Sequence, residues 1–334
     1  MRRRVTVRLT SPRFPVLAQT VQPKTLRDYR RALGAFSAFL GLSRSATTSI
    51  AALDNAFASF LNFVLIKNGP VAHVRNSFCG LRLFNGALDL PLTYSIYKRV
   101  DKLRPSRTRT PLTWSLTVLL ASHCLLHARR HRFQLCVGLL VIFDCYLRVN
   151  ELLRLRREDI GIPVDADLDT AASLPILRLQ STKTSLRHWQ QVQVQRPVVA
   201  QLLVRLAAET SPGERLFPFS ADVLNRALRG ACEAWGLQPF TAHCGRHGGP
   251  THDLIHGRTM KYIVERGRWA SFKSCQRYLH RAQARSLELL IYVEQARLGA
   301  SLAPHLLRLA EQHHFAVGGQ GSSQDLHQQQ QQQQ

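Results

Sequence analysis

The sequence predicts a mainly α protein of α+β class in two parts: an N-terminal four-helix domain, then a mostly helical domain with a small antiparallel sheet. Three observations predict it. Apolar residues recur at helical spacing through most of the first hundred residues and again beyond residue 112. After Glu151 the period shortens to two over two short stretches, as in strands. A proline- and arginine-rich segment, Arg104-Pro105-Ser106-Arg107-Thr108-Arg109-Thr110-Pro111, separates the blocks and carries no large apolar residue. With 334 residues, 45% of them apolar, each block can bury its own core.

The elements follow in order. Thr25 is a candidate N-cap, after which Leu26, Tyr29, Leu33, Phe36 and Leu40 keep one face until Gly41. A second helix opens near Thr48, carries Ile50, Leu53, Phe57, Phe60, Leu61 and Val64, and stops at Asn68-Gly69-Pro70. A third spans about 71–84 and a fourth about 91–103. Residues 20–103 therefore read as a four-helix unit without a strand, preceded by a basic arm over 1–19 and followed by the linker at 104–111. In the second domain, 112–300, Thr113 caps the first of two helices near 113–128 and 131–146. Leu174 to Gln180 and Trp189 to Gln195 alternate as strands around a turn, STKTSLRH, with Ile160 to Val164 as an edge. Helical patterns return at 198–210, 221–235, 241–256, 258–266 and 284–298. Residues 301–334 read as a tail that ends in the glutamine run Gln328 to Gln334, a composition that builds no core.

Charge narrows the partner. A formal net charge of +24 and a pI near 11.0 call for a polyanion. The excess comes from 38 arginines against 7 lysines, and arginine is the better fork for phosphate, so nucleic acid is favoured over a membrane surface. Arg104, Arg107 and Arg109 in the linker are candidates for contact with a phosphate backbone. The longest apolar run, Leu135 to Phe143, is too short to span a bilayer. Seven cysteines without a C-x-x-C pair fit a reducing compartment. His123, Cys124, His127 and His131 cluster in sequence but lack the second half of a tetrahedral metal set, so they are read as solvated or helix-end residues. The start, MRRRVTVRLTSPRF, has no acidic residue before Asp28 and reads either as a basic arm on DNA or as a transit peptide.

The chemistry concentrates between Phe240 and His280, with two outliers upstream. Cutting a phosphodiester needs a nucleophile, cationic donors around the non-bridging oxygens and an acid for the leaving oxygen. Arg148 and Arg246 can supply the donors, and Glu151, one helical turn from Arg148, can orient it. Taken alone, Arg-x-x-Glu is more often a surface pair. His243 lies on the face of Arg246, three residues earlier, behind Thr241 as N-cap at a helix end that itself attracts phosphate. Lys183 stands at the hairpin tip, with no other lysine between Lys102 and Lys261, and can act as an acid if its surroundings lower its pKa. Local sequence does not separate that role from an ordinary turn lysine. Tyr278 offers the nucleophile, a phenol with a free pKa of about 10 that needs positive neighbours. Trp269 can give its indole N–H to a phosphate oxygen, although an isolated tryptophan or tyrosine more often packs a core.

In order and spacing, Arg148-x-x-Glu151, Lys183, His243-x-x-Arg246, Trp269 and Tyr278 resemble the active site of the tyrosine recombinases, the lambda-integrase-type strand-transfer enzymes. GRHGG followed by RGRW and RYL looks most like the branch found in eukaryotic mobile elements, including DIRS-type retroelements. Over about residues 20–298 the resemblance implies a core-binding helical domain and a catalytic domain clamped around double-stranded DNA. It implies strand joining through a 3′-phosphotyrosyl intermediate, a tetramer on DNA, no metal, no cofactor, and a nuclear location in a eukaryotic host; the transit-peptide reading of the start makes the mitochondrion the alternative.

The sequence departs from the family pattern at four places. Tyr146 stands where glycine commonly precedes the Leu-Arg pair, Gly245 where leucine is common, and Trp269 where histidine is more frequent. Gly248-Gly249-Pro250 near a helix start tends to loosen that helix, although proline is tolerated in a first turn. None of these removes a reacting group. Two rival functions share the same residues: a DNA-binding protein that keeps the fold without turnover, and a relaxing topoisomerase or hairpin-forming resolvase.

Overall fold

The computed structural model describes residues 4–41, 45–86, 88–103, 109–162, 174–179 and 189–315. The chain divides into two compact units, Met1–Thr108 and Arg109–Gln334. The linker arginines Arg104 and Arg107, the hairpin residue Lys183 and the glutamine run lie outside the described residues.

The first unit packs helices α1 (Val16–Gln19), α2 (Pro23–Leu40), α3 (Ile50–Ile66), α4 (Val71–Asn85) and α5 (Pro91–Leu103). Its core is aromatic: Phe36 meets Phe57 edge-on at 4.5 Å and Phe60 at 5.3 Å. The carboxylate of Asp54, buried in α3, accepts the N–H groups of Leu92 and Thr93 at 2.9 Å each and so caps α5.

Several expectations differ from the structure. Residues 20–103 are not free of strand and the basic arm is part of the fold, because strand β1 (Arg4–Arg8) pairs antiparallel with β2 (Ser45–Ser49), and Thr48 belongs to this ribbon rather than to a helix start. The physical reason is the alternation in RVTVRL, which the arginines obscure: Val7 and Leu9 are buried while Arg8 between them is exposed. Asn85 ties the arm down, accepting from the Arg8 N–H and donating to its carbonyl. Helix α2 also begins earlier than Thr25, at Pro23 in the first turn behind Gln22, since proline needs no hydrogen-bond partner there.

In the second unit, α6 (Trp114–His127) and α7 (Arg132–Asp144) form the centre, and Thr113 caps α6 through the N–H of Leu116 at 3.3 Å. The short helix α8 (Val149–Leu152) leads into a three-stranded antiparallel sheet in the order β3 (Ile160–Gly161), β4 (Ile176–Leu179), β5 (Gln190–Gln193). Helices α9 (Pro197–Glu209), α10 (Ala221–Ala234), α11 (Ala242–Ile255), α12 (Met260–Arg266), α13 (Phe272–Gln276), α14 (Arg281–Ser286), α15 (Val293–Leu302) and α16 (Leu306–Ala310) complete the unit.

Helix α11 packs so closely on α7 that Gly248 and Gly249 have no room for a side chain. A Cβ there would fall 1.9 Å from the Leu112 carbonyl oxygen and 2.1 Å from that of Phe143. Pro250 sits well inside α11, not in its first turn, and the helix continues through it because packing holds the segment on both sides.

The helix expected over 284–298 is instead α14, a π-helical turn at Leu287–Ile291, and α15. The break falls at Tyr292, whose hydroxyl accepts the Gln238 N–H at 2.9 Å. The domain also outruns residue 300: Leu306 and Ala310 of α16 are fully buried in the same core. Among the described residues no helix is long and apolar enough to cross a membrane. All seven cysteines are unpaired.

Candidate active site

The site forms where two helices end in the same unusual way. Helix α7 closes with Leu147 N–H on the Ile142 carbonyl (3.1 Å), and α12 with Trp269 N–H on the Val264 carbonyl (3.1 Å). That six-to-one bond requires a left-handed residue in between, usually glycine. Here the two positions are Tyr146 (φ 51°) and Arg268 (φ 56°). Each non-glycine costs about 1 kcal/mol of backbone strain.

The turn after α7 places Arg148 as the residue that opens α8, and the Arg148 N–H bonds the Glu151 carboxylate at 2.9 Å. Three guanidinium groups converge on that carboxylate: Arg148 at 2.5 Å, Arg268 at 3.2 Å and Arg246 at 3.6 Å. Burial alone would raise the Glu151 pKa, but Arg268, Arg246 and Arg148 outweigh it and hold the group ionised below the usual range.

Arg246 is 0% exposed, the largest fully buried side chain among the described residues. It donates to the Tyr146 carbonyl and, at 3.3 Å, to that of Gly267. Its guanidinium carbon lies 5.1 Å from the Trp269 ring centre and 5.5 Å from that of Tyr278. Burial, set against Glu151, lowers its pKa to about 10, still cationic at neutral pH.

Tyr278 follows α13, a five-residue helix the sequence pattern did not suggest, in a turn fixed by its N–H to Cys275 (2.8 Å). Its carbonyl accepts the Thr251 hydroxyl of α11 at 3.0 Å. The half-buried Tyr278 ring is centred 5.1 Å from Trp269 and 6.0 Å from His243.

Of the sequence candidates, Arg148, Glu151, His243, Arg246, Trp269 and Tyr278 thus share one site. The exposed Arg109, read as a linker residue, acts at the same place: burial is the main cause of a His243 pKa near 4, and Arg109 is the next. Thr241 is the N-cap of α11, yet its N–H bonds the Cys244 sulfur at 3.5 Å, and Asn225 serves the Ala242 N–H at 3.0 Å.

Sequence reasoning missed three contributors. His247, beside Arg246 in GRHGG, packs its ring 4.5 Å from Tyr278, and burial with the neighbouring His243 pushes its pKa down to about 3. Arg268, beside Trp269, joins Glu151. Behind them the fully buried Asp144 receives Arg196 at 2.6 Å and the Gln195 N–H at 2.7 Å, while Arg266 donates to the Asp144 carbonyl at 2.6 Å. Only adjacency to Arg246 and Trp269 could have flagged the first two.

Several donors at the site have no protein partner among the described residues: the Trp269 indole N–H and the Nε atoms of Arg246 and Arg268. Three arginines against one carboxylate leave an excess of positive charge beside a phenol. Such a cradle suits a phosphate oxygen. Among the described residues no group of three or more His, Cys, Asp or Glu is placed to hold a metal ion, and the histidines of the 123–131 cluster form no such set.

No protein-family model matches the sequence, and no curated protein matches it. In fold, the chain is similar to several solved tyrosine recombinases. One is the Tn1549 transposon integrase in complex with transposon right-end DNA, with a TM-score of 0.57, 14% identity, and 82% of this chain and 98% of that one covered. Another is the XerH site-specific recombinase bound to its difH substrate after cleavage, with a TM-score of 0.56, 16% identity, and coverage of 83% and 82%. A third is a lambda integrase dimer on a core site, with a TM-score of 0.56, 15% identity, and coverage of 80% and 92%. The mostly helical second unit with its three-stranded sheet has the catalytic-domain fold of these enzymes.

Proposed function

We propose that the protein is a site-specific DNA recombinase or integrase that cuts and rejoins double-stranded DNA through a 3′-phosphotyrosyl intermediate. One observation carries this reading: Arg148 and Arg246, far apart in sequence, meet at the Glu151 carboxylate, and the Trp269 and Tyr278 rings lie against the Arg246 guanidinium. The likeness in fold to integrases and recombinases solved with DNA supports it.

On this reading Tyr278 gives up its phenol proton to water and its oxygen attacks phosphorus, the new O–P bond forms as the bond to the 5′ oxygen breaks, and the leaving oxygen takes a proton from Lys183. Arg148 and Arg246 hold the charge that grows on the non-bridging oxygens, with Trp269 as a further donor and the arginines doing the work a metal does elsewhere. His243, neutral at pH 7, is held beside Tyr278 as a hydrogen-bonding group rather than a cation. Arg104, Arg107 and Arg109 contact the backbone, and protomers assemble as a tetramer on DNA. The motifs GRHGG, RGRW and RYL support a kinship with the mobile-element branch, and with it we propose a nuclear location in a eukaryotic host.

The test uses nicked suicide DNA drawn from a pool that the protein binds, in the presence of a chelator. Wild type is expected to form a covalent complex stable on a denaturing gel, and Tyr278→Phe to form none. Binding without any adduct would instead establish a DNA-binding protein without turnover. Relaxation without strand exchange would establish a topoisomerase.

A further inference from the structure

We propose that Arg268 is a positioning residue of this site: it fixes the Glu151 carboxylate, and through it the Arg246 guanidinium, where the phosphate is gripped. The inference rests on the strand-transfer reading above.

The argument starts from the backbone. Arg268 closes α12 in the left-handed position, where glycine fits best and a side chain brings strain. The turn itself needs no guanidinium. Yet the side chain is only 5% exposed, and it lies inward among four acceptors.

One Nη reaches the Cys145 carbonyl at 3.3 Å and the Arg266 carbonyl at 3.1 Å. The other reaches Glu151 at 3.2 Å and the Tyr146 carbonyl at 3.5 Å. The last two are also the acceptors of Arg246, on the same Glu151 oxygen and the same carbonyl. Arg268 therefore braces two of the three partners of Arg246, the third being the Gly267 carbonyl. It also leaves the second Glu151 oxygen to Arg148.

Two like charges share one carboxylate oxygen, so neither arginine can shift without moving the other. With Arg268 absent, Glu151 would keep the Arg148 N–H and guanidinium but lose the donor that sets its second oxygen toward Arg246, and the fork presented to phosphate would lose its set angle. Misplacements of this size slow chemistry while leaving binding nearly intact.

The test compares wild type with Arg268→Gly, Arg268→Lys, Glu151→Gln and the double variant Arg268→Gly/Glu151→Gln. Arg268→Gly is the informative change, since it relieves the left-handed residue while deleting the guanidinium. Single-turnover adduct formation on suicide DNA, at saturating protein, is read beside DNA affinity. We expect Arg268→Gly to bind DNA within about twofold of wild type and to form the adduct about ten- to a hundredfold more slowly, with Arg268→Lys between them. The double variant should be no slower than the slower single variant, because one residue acts through the other.

Wild-type speed in Arg268→Gly, or losses that multiply in the double variant, would overturn the proposal. If wild type itself forms no adduct, the strand-transfer reading has failed, and wild type, Arg268→Gly, Glu151→Gln and the double variant are read by denaturant unfolding. Coupling of about tenfold or more in the unfolding constant keeps Arg268 as the brace of Glu151. Independent effects remove it.

Discussion

The Arg246 guanidinium, without solvent exposure, lies 3.6 Å from the Glu151 carboxylate. Glu151 is the counter-charge for three arginines brought together from α8, α11 and the turn after α12. A buried pair of this kind adds little net stability, but removing one partner leaves a charge that water cannot reach. Glu151→Ala is therefore expected to destabilise the second unit by about 3 kcal/mol or more. Glu151→Gln, which keeps one of the two acceptor oxygens and fills the same space, should cost less. Urea unfolding at pH 7.5 checks the order, and equal losses for the two variants would contradict it.

Acid should loosen the protein in a defined window. Burial, first of all, lowers the pKa of His243 to about 4 and of His247 and His252 to about 3, below the ordinary 6.5. The unfolded chain then binds more protons than the folded one, so stability is full above pH 6.5 and falls as pH drops toward 4 and 3. Glu151, also held low, adds a loss in the same direction below its ordinary 4.5. Urea midpoints measured from pH 8 to pH 4 should decline mainly below 6.5, and His247→Gln should flatten that decline. A midpoint that rises on acidification would refute the assignment.

Close packing of α11 on α7 makes Gly248 and Gly249 intolerant positions. Gly249→Ala would put a methyl carbon 2.1 Å from a backbone oxygen and 2.5 Å from the Tyr146 ring, so the helix must move or the Tyr146 turn must open. We expect a loss of about 2 kcal/mol or more. Gly230→Ala, on the open face of α10 with nothing within 4 Å, is expected to be neutral or slightly stabilising and serves as the control. Thermal unfolding of both variants checks the contrast.

What the sequence made legible, and what it hid, follows from range. Helix periods and caps such as Thr113 and Gly41 are local, and the corresponding elements sit close to where periodicity puts them. The spacing from Arg148 to Glu151 and from His243 to Arg246 is local as well, so these pairs were readable. Arg268 was not, because its meaning depends on a carboxylate 117 residues away and on a left-handed turn that arginine does not advertise. The β1–β2 ribbon was hidden for a related reason: its two strands are some forty residues apart, and Arg4 and Arg8, at the two ends of the strand in RVTVRL, gave the stretch the look of a basic arm.

Trp269 gives the sharpest separation of stability from function. Its indole N–H is buried without a partner, and a donor in that state costs about 1–3 kcal/mol that a ligand oxygen can recover. Trp269→Phe keeps an aromatic face for Arg246 and Tyr278 while deleting the donor. The free protein should then be as stable as wild type or slightly more so, whereas adduct formation on suicide DNA should slow by about tenfold or more. Trp269→His, which restores an N–H, should recover part of the rate. Cleavage by Trp269→Phe at wild-type speed would show that the indole only packs, and that the phosphate is held by the arginines alone.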